Sequence, residues 1–214
     1  KRILFQTKKI PFKYKDKKIG IVGIARDITG LYEIQEKLKK QAYYDELTKI
    51  FNRKAYNERI QEKFDLFDRY KTDFTIAMYD LDNFKNINDT YGHDIGDKVL
   101  VEITNEVKSI IRKTDFLFRV GGEEFVIIFD KISLDESYDI AEKIRINISK
   151  MQIIENEKIT ISMGITQAIA NDNPQSIYER VDKLMYQSKR NNKNQTTKGW
   201  FLTISSSNID KYDI

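Results

Sequence analysis

At 214 residues, 40% of them apolar and 33% charged, the chain is long enough to bury one domain's core with attachments and too apolar to be disordered. Its net charge of +4 is spread over interspersed acids and bases, without the aromatic and basic stripe of a nucleic-acid binder, and the lack of cysteine excludes disulfides, thiolate metal sites and thiol nucleophiles. The longest apolar runs, such as GIVGIA and FVIIF, are far too short to span a bilayer, so no membrane contact is expected and the expected localisation is cytoplasmic.

The chain begins at Lys1 rather than Met and shows no signal peptide, so it reads as a piece of something longer, with any membrane anchor of the parent upstream. RILFQTKKIPFKY and KIGIVGIARDIT read as two β runs joined by the polar turn KDKK. Two strands alone are barely stable, so residues 1–29 either need a partner or form the end of a truncated domain. Thr29 is placed to cap the helix that follows. In LYEIQEKLKKQAYY, the residues Leu31, Ile34, Leu38 and Ala42 form a narrow apolar stripe, equally suited to intradomain packing or a short coiled coil.

From Asp45 onward helices and strands alternate. The spacing predicts a helix over 53–70, a strand over 74–79, a polar stretch over 82–97 and a helix over 98–111. A hairpin follows at 116–129, then a helix over 134–150, a strand over 158–168, a helix over 174–190 and the apolar run GWFLTI. SSSNIDKYDI reads as a frayed tail. This order, with a hairpin among the alternating elements, predicts an α/β (α+β) fold with a mixed or mostly antiparallel sheet flanked by helices.

The hairpin FLFRVGGEEFVIIF sets Gly121-Gly122 and Glu123-Glu124 between two strand runs. A hairpin needs a turn residue; it has no need of two adjacent carboxylates, which repel unless a positive partner sits nearby. Asp80 closes the strand at 74–79, where a side chain is expected to emerge at the sheet edge instead of being buried. If the two strands are neighbours, Asp80 and Glu123 form a carboxylate cluster suited to a divalent cation. Oxygen ligands alone select a hard ion, Mg²⁺ or Mn²⁺, whose shell substrate phosphates usually complete. Alone, Asp80 would pass for a turn residue and GGEE for an exposed hairpin. With Lys85, Asn88, His93 and Asp97 at these spacings, those bland explanations become poor.

RVGGEEF at 119–125 resembles the signature of the GGDEF family, the diguanylate cyclases, in its GGEEF variant. DELTKIFNR (45–53), DLDNFKNINDTYGHDIGD (80–97) and LMYQSKRNNKN (184–194) resemble the family's opening motif, nucleotide-binding stretch and late helix, in the expected order. The resemblance covers residues 44–205, with 206–214 as tail. It implies a fold like the palm of polymerases and adenylate cyclases, and condensation of two GTP into cyclic di-GMP with release of two pyrophosphates. By position, Asp80, Glu123 and the carbonyl of Leu81 would hold Mg²⁺, and Glu123 would accept the proton of the attacking 3′-hydroxyl with Glu124 close by. Lys85 would neutralise charge on the phosphates. Asn88 and Asp97 would read guanine, His93 would sit near the nucleotide, and Lys189 matches a phosphate-contacting lysine.

One chain offers one nucleotide pocket while the product joins two, which implies a homodimer with the two GTPs facing across a two-fold axis. Arg112 and Asp115 stand in the RxxD arrangement of the family's inhibitory site, where cyclic di-GMP would bind. The late helix departs from the pattern: Lys193 stands where an arginine is common and Asn192 where glycine is common, keeping charge but losing bidentate geometry. The segment IGIVGIARDITG followed by a helix resembles the last strands of a PAS sensor over 1–29 and its linker over 30–43. A catalytically silent module that binds GTP or cyclic di-GMP is the alternative, and the intact Asp80, Lys85, Asn88, Asp97 and GGEEF argue against it.

Overall fold

The computed structural model describes residues 3–200 apart from residue 16; the end of the GWFLTI run and the expected tail lie outside the described residues. The chain divides into two compact units, the first ending at Tyr43 and the second starting at Tyr44.

The first unit is an antiparallel hairpin of β1 (Phe5–Tyr14) and β2 (Lys17–Asp27), followed by helix α1 (Thr29–Tyr43). Thr29 does not cap the helix by its own side chain as expected. Its N–H and hydroxyl both donate to Asp27 Oδ1, at 2.9 and 2.6 Å, and its Oγ1 accepts from the Leu4 N–H. These bonds hold the Asp27 carboxyl below its ordinary range. Leu31, Ile34 and Leu38 are exposed, and no described residue of α1 is buried.

The second unit is a six-stranded sheet with helices on both faces. In chain order it runs β3 (Phe51–Asn52), α2 (Arg53–Tyr70), β4 (Phe74–Leu81), α3 (Phe84–Tyr91), α4 (His93–Ile110), β5 (Phe116–Arg119), β6 (Glu124–Asp130), α5 (Leu134–Ile148), β7 (Ile161–Gln167), α6 (Pro174–Arg190) and β8 (Thr196–Lys198). The strand order is β3-β5-β6-β4-β7-β8; the four central strands pair antiparallel, and each short edge strand lies parallel to its neighbour. The mixed, mostly antiparallel sheet expected from the alternation is present.

Why β4 lies at the centre is legible in its side chains. Every residue of FTIAMYDL is buried, as a strand covered on both faces requires. Ala77, Tyr79 and Leu81 join the core under α3, α4 and α5, together with Phe125 and Ile127 of β6 and Met163 and Ile165 of β7. The Tyr79 and Phe125 rings stack at 5.0 Å. Ile76, Met78 and Asp80 alternate to the opposite face, which α2 and α6 cover with Tyr56, Ile60, Phe64, Ile177, Val181 and Met185. A side chain at Gly164 of β7 would overlap the backbone of Val181 and Met185 and lie 2.9 Å from the Leu184 carbonyl carbon, so this glycine lets α6 lie directly on the sheet.

Helix ends follow local chemistry. Asn52 caps α2 through the Ala55 N–H, Ser133 and Glu136 form a capping box on α5, and Asn173 with Ser176 forms another on α6 ahead of Pro174. Arg180, 6% exposed, donates to Asp172, Thr166 Oγ1 and the Gln167 carbonyl, which fixes the turn leading into α6. Burial alone would raise the Asp172 carboxyl; the bonds from Arg180, the Ile169 N–H and Ser176 hold it below its ordinary range instead.

The structure corrects several expected boundaries: β4 runs to Leu81 rather than 79, and α4 ends at Ile110 rather than 111. The polar stretch 82–97 contains all of α3 and the start of α4, which begins at His93, five residues earlier than the periodicity suggests. The break between the two helices is Gly92, at φ 85°. Helix α5 ends at Ile148 rather than 150, and β7 spans 161–167 rather than 158–168.

Candidate active site

The site is built where β4, β6 and the end of α6 converge. Asp80 stands on β4 opposite Glu124 of β6 and Ser162 of β7, so the strands carrying Asp80 and the paired glutamates are immediate neighbours. Against the expectation that it emerges at the sheet edge, Asp80 is buried, 4% exposed, because β4 runs on past it to Leu81. Its Oδ2 accepts from Lys189 Nζ at 2.8 Å, while its Oδ1 is buried with no hydrogen-bond partner. Burial pushes the Asp80 carboxyl up to about 6, against the opposing bond and charge of Lys189, and the charges of Glu123 and Glu124 push the same way as burial. Three carboxylates thus share one field at a strand end.

An orphaned buried carboxylate oxygen amid like charges is the condition a divalent cation relieves. Among the described residues no three acidic or imidazole groups converge to hold an ion by themselves. The donor set therefore fits a hard ion held by one or two carboxylates and a carbonyl, with phosphate and water completing the shell. Asp80, Glu123 and the Leu81 carbonyl are the groups at hand. Below about pH 6 a proton competes for Asp80.

The turn at 120–123 is shaped by space rather than by unusual backbone angles. Val120 and Gly121 donate to the Glu124 carbonyl at 3.0 and 3.3 Å, and neither Gly121 nor Gly122 has a positive φ. A side chain at Gly121 would overlap the Glu124 carboxylate, whereas Gly122 faces open space. Arg119 donates to the Gly122 carbonyl at 3.0 and 2.7 Å and to Asp45 Oδ1 at 3.0 Å. Asp45 also accepts from the Thr48 N–H and hydroxyl; burial opposes, yet these bonds and Arg119 hold its carboxyl below the ordinary range. Arg53 donates to the Val120 carbonyl. The DELTKIFNR motif thus braces the 120–123 turn, a task its spacing did not disclose.

Beyond Asp80 the chain turns into α3. Asn83, at φ 58°, precedes the helix, whose N-terminus carries the exposed Lys85. Asn88 and Asp97 lie on α3 and α4, and Gly96 lets Asn88 pack against α4: a side chain there would overlap the Asn88 carboxamide. Asn88 is half-buried; Asp97 and His93 are exposed, with His93 opening α4. From the other side, α6 delivers Lys189 to Asp80, and the loop after it delivers Lys193, whose Nζ donates to Asn83 Oδ1 at 2.6 Å. Asn192, in the position where glycine was expected, adopts φ 73°, a left-handed backbone that asparagine tolerates.

Asp82, which the sequence reading passed over, is 6% exposed and accepts from Ser162 Oγ at 2.6 Å, Thr160 Oγ1 at 2.7 Å and the Asn194 N–H at 3.1 Å. Only its place two residues after Asp80 could have drawn attention to it.

Arg112 and Asp115 sit at the other end of β5. Both Asp115 oxygens are engaged by backbone, Oδ2 by the Arg112 N–H at 2.9 Å and Oδ1 by the Asp130 N–H at 3.3 Å. The exposed Arg112 side chain borders a hollow of about 370 Å³ lined also by Tyr44, Lys49, Phe51, Lys108 and Lys113. Among the described residues no helix is long and apolar enough to cross a membrane.

Comparison with known proteins places this geometry. The family profile described as "Diguanylate cyclase, GGDEF domain" matches residues 42–195. Diguanylate cyclase DgcM of Escherichia coli (strain K12) is 33% identical over 172 residues, covering 80% of this chain and 42% of that protein. This chain therefore spans about two fifths of that relative's length. The coiled coil and GGDEF domain of DgcB from Caulobacter crescentus, solved in complex with c-di-GMP, matches with a TM-score of 0.78 and 28% identity, covering 80% of this chain and 93% of that one. The active GGEEF domain of a diguanylate cyclase from Vibrio cholerae matches with a TM-score of 0.66 and 33% identity, covering 69% of this chain and 96% of that one.

Proposed function

The chain belongs to the diguanylate cyclase, GGDEF-domain family, and from that membership and the site we propose that it condenses two GTP into cyclic di-GMP as a homodimer. The observation that carries the proposal is the buried, orphaned Asp80 Oδ1 beside Glu123 and Glu124. A divalent cation bound by Asp80, Glu123 and the Leu81 carbonyl would supply charge neutralisation and polarisation at the phosphates.

The chain's own residues do the rest. Lys189 on Asp80, Lys193 on Asn83 and the exposed Lys85 of α3 would line the triphosphate, and the N-terminus of α3 favours anions. Asn88 and Asp97 select guanine: an aspartate accepts from its N1–H and exocyclic amine, and adenine presents no such pair of donors. His93 borders the same nucleotide. Glu123 accepts the 3′-hydroxyl proton of one GTP as that oxygen bonds to the α-phosphorus of the other and the bond to pyrophosphate breaks. Glu124, packed over Gly121, adds negative charge that keeps the cation in place. The step repeats with the roles exchanged, so two copies must present their nucleotides to each other. The first unit, as a PAS-like sensor end and linker, would set how the two copies face.

The direct test is to incubate the chain with GTP and Mg²⁺ and identify the product by mass. Cyclic di-GMP is expected from GTP and none from ATP; unreacted GTP at every enzyme concentration would refute the proposal.

We propose further that cyclic di-GMP binds at Arg112 and restrains the enzyme. The Arg112 N–H, not its side chain, holds Asp115, so Arg112→Ala removes the guanidinium without opening that turn. The product concentration needed for half-inhibition is expected to rise about tenfold or more, the loss of one charge-assisted pair. An unchanged inhibition curve would remove Arg112 from the product site.

A further inference from the structure

The loop that carries Lys193 is held in a costly conformation. Asn192, Lys193 and Asn194 all have left-handed backbone, at φ 73°, 59° and 46°. Such residues persist only where the surroundings over-determine them. Two clamps do so here. On one side the Asn194 N–H donates to Asp82 Oδ2. On the other, Arg145 Nη1 donates to the Asn194 carbonyl at 3.1 Å and to its Oδ1 at 2.9 Å, while Glu142 orients Arg145 with two bonds of 2.8 Å.

Asp82 is the junction of this network. Besides the Asn194 N–H it takes the hydroxyls of Ser162 and Thr160, and its own N–H donates to the Thr160 carbonyl. All three side-chain contacts are made by a carboxylate that is almost fully buried and directed away from solvent. It lies one residue past Leu81 and one before Asn83, on which the Lys193 ammonium rests.

We propose that Asp82 is a positioning residue: by fixing the start of β7 and the 192–194 loop together, it presents Lys193 to the triphosphate at the turn before α3. The inference rests on the reading that GTP phosphates occupy that turn. Asp82 touches no substrate itself; it acts through Lys193. The rest of the loop is tied elsewhere, by the Lys193 N–H to the Ser188 carbonyl and the Gln195 carbonyl to the Met163 N–H, so losing Asp82 loosens the loop without detaching it.

The test compares binding of a non-reacting GTP analogue and of GMP, with Mg²⁺, in the whole chain. Asp82→Asn is isosteric but cannot accept all three bonds, and it is expected to weaken the triphosphate about tenfold while leaving GMP affinity within about twofold. In a Lys193→Ala background the same substitution should change nothing further, because the group being positioned is gone. Should Asp82→Asn fail to fold, Arg145→Gln opens the other clamp and carries the same expectation. Equal losses for GTP analogue and GMP, or additive losses with Lys193→Ala, would assign Asp82 a purely structural role. A wild-type chain that binds neither nucleotide would overturn the underlying site and this inference together, whereas wild-type binding unchanged in the Asp82→Asn and Arg145→Gln variants overturns the inference alone.

Discussion

Glu123→Gln is expected to lower cyclic di-GMP formation by about a thousandfold while leaving the fold intact. The residue is asked to do two things at once, to take a proton from the attacking hydroxyl and to share a cation with Asp80; a carboxamide cannot take the proton and, being neutral, holds the cation only weakly. The fold should not notice. Glu123 is half-buried in a turn and makes no hydrogen bond or ion pair with any described residue, and its removal relieves repulsion at Asp80. That relief gives a second readout, free of turnover. In the metal-free chain the Asp80 titration, raised to about 6 by burial with Glu123 and Glu124 adding to it, should move down in the variant. A variant that forms product at the wild-type rate would dismiss Glu123 as base and ligand; an unmoved Asp80 titration would place Glu123 outside its field.

Gly164→Ala is expected to destabilise the second unit by about 3 kcal/mol, a fall in Tm of roughly 10 °C for a domain of this size. The added methyl has no flexible side chain to push aside, because the atoms it meets are backbone of α6. Relief requires the helix to lift from β7, and α6 carries Lys189 to Asp80, so GTP turnover should fall with stability. Gly122→Ala is the natural contrast, since nothing lies within 4 Å of the position a methyl would take, and its Tm should match wild type. Equal melting of the Gly164→Ala variant and wild type would show that α6 does not rest on the sheet as described.

Which parts could be read from residues alone follows from where each element lies. The central strands are buried on both faces, so FTIAMY and FVIIF stand out as apolar runs, and an acid closing one beside a glycine turn in the next is conspicuous. Helices α2 and α6, long and amphipathic, have the bounds that their periodicity predicts. The misses have the opposite cause. In α3 only Phe84 and Ile87 are buried, too few to set a period, and the dense polar residues around them resemble a loop. The edge strands β3 and β8, of two and three residues, are shorter than any alternation can reveal. The service of Asp45, Asp82 and Arg119 lies in bonds to residues 74, 78 and 80 or more positions away, and spacing along a chain carries no mark of partners that distant. Gly164 looked like any strand glycine until a helix was laid across it.

Those stunted borders have one more implication. A strand of two or three residues exposes few main-chain donors and acceptors to recruit a stranger's strand, so among the described residues the borders of the second unit's sheet offer little hold to another polypeptide docking alongside. Contact between two copies across those two borders would fall to side chains, and such a contact can part and re-form without tearing a backbone ladder.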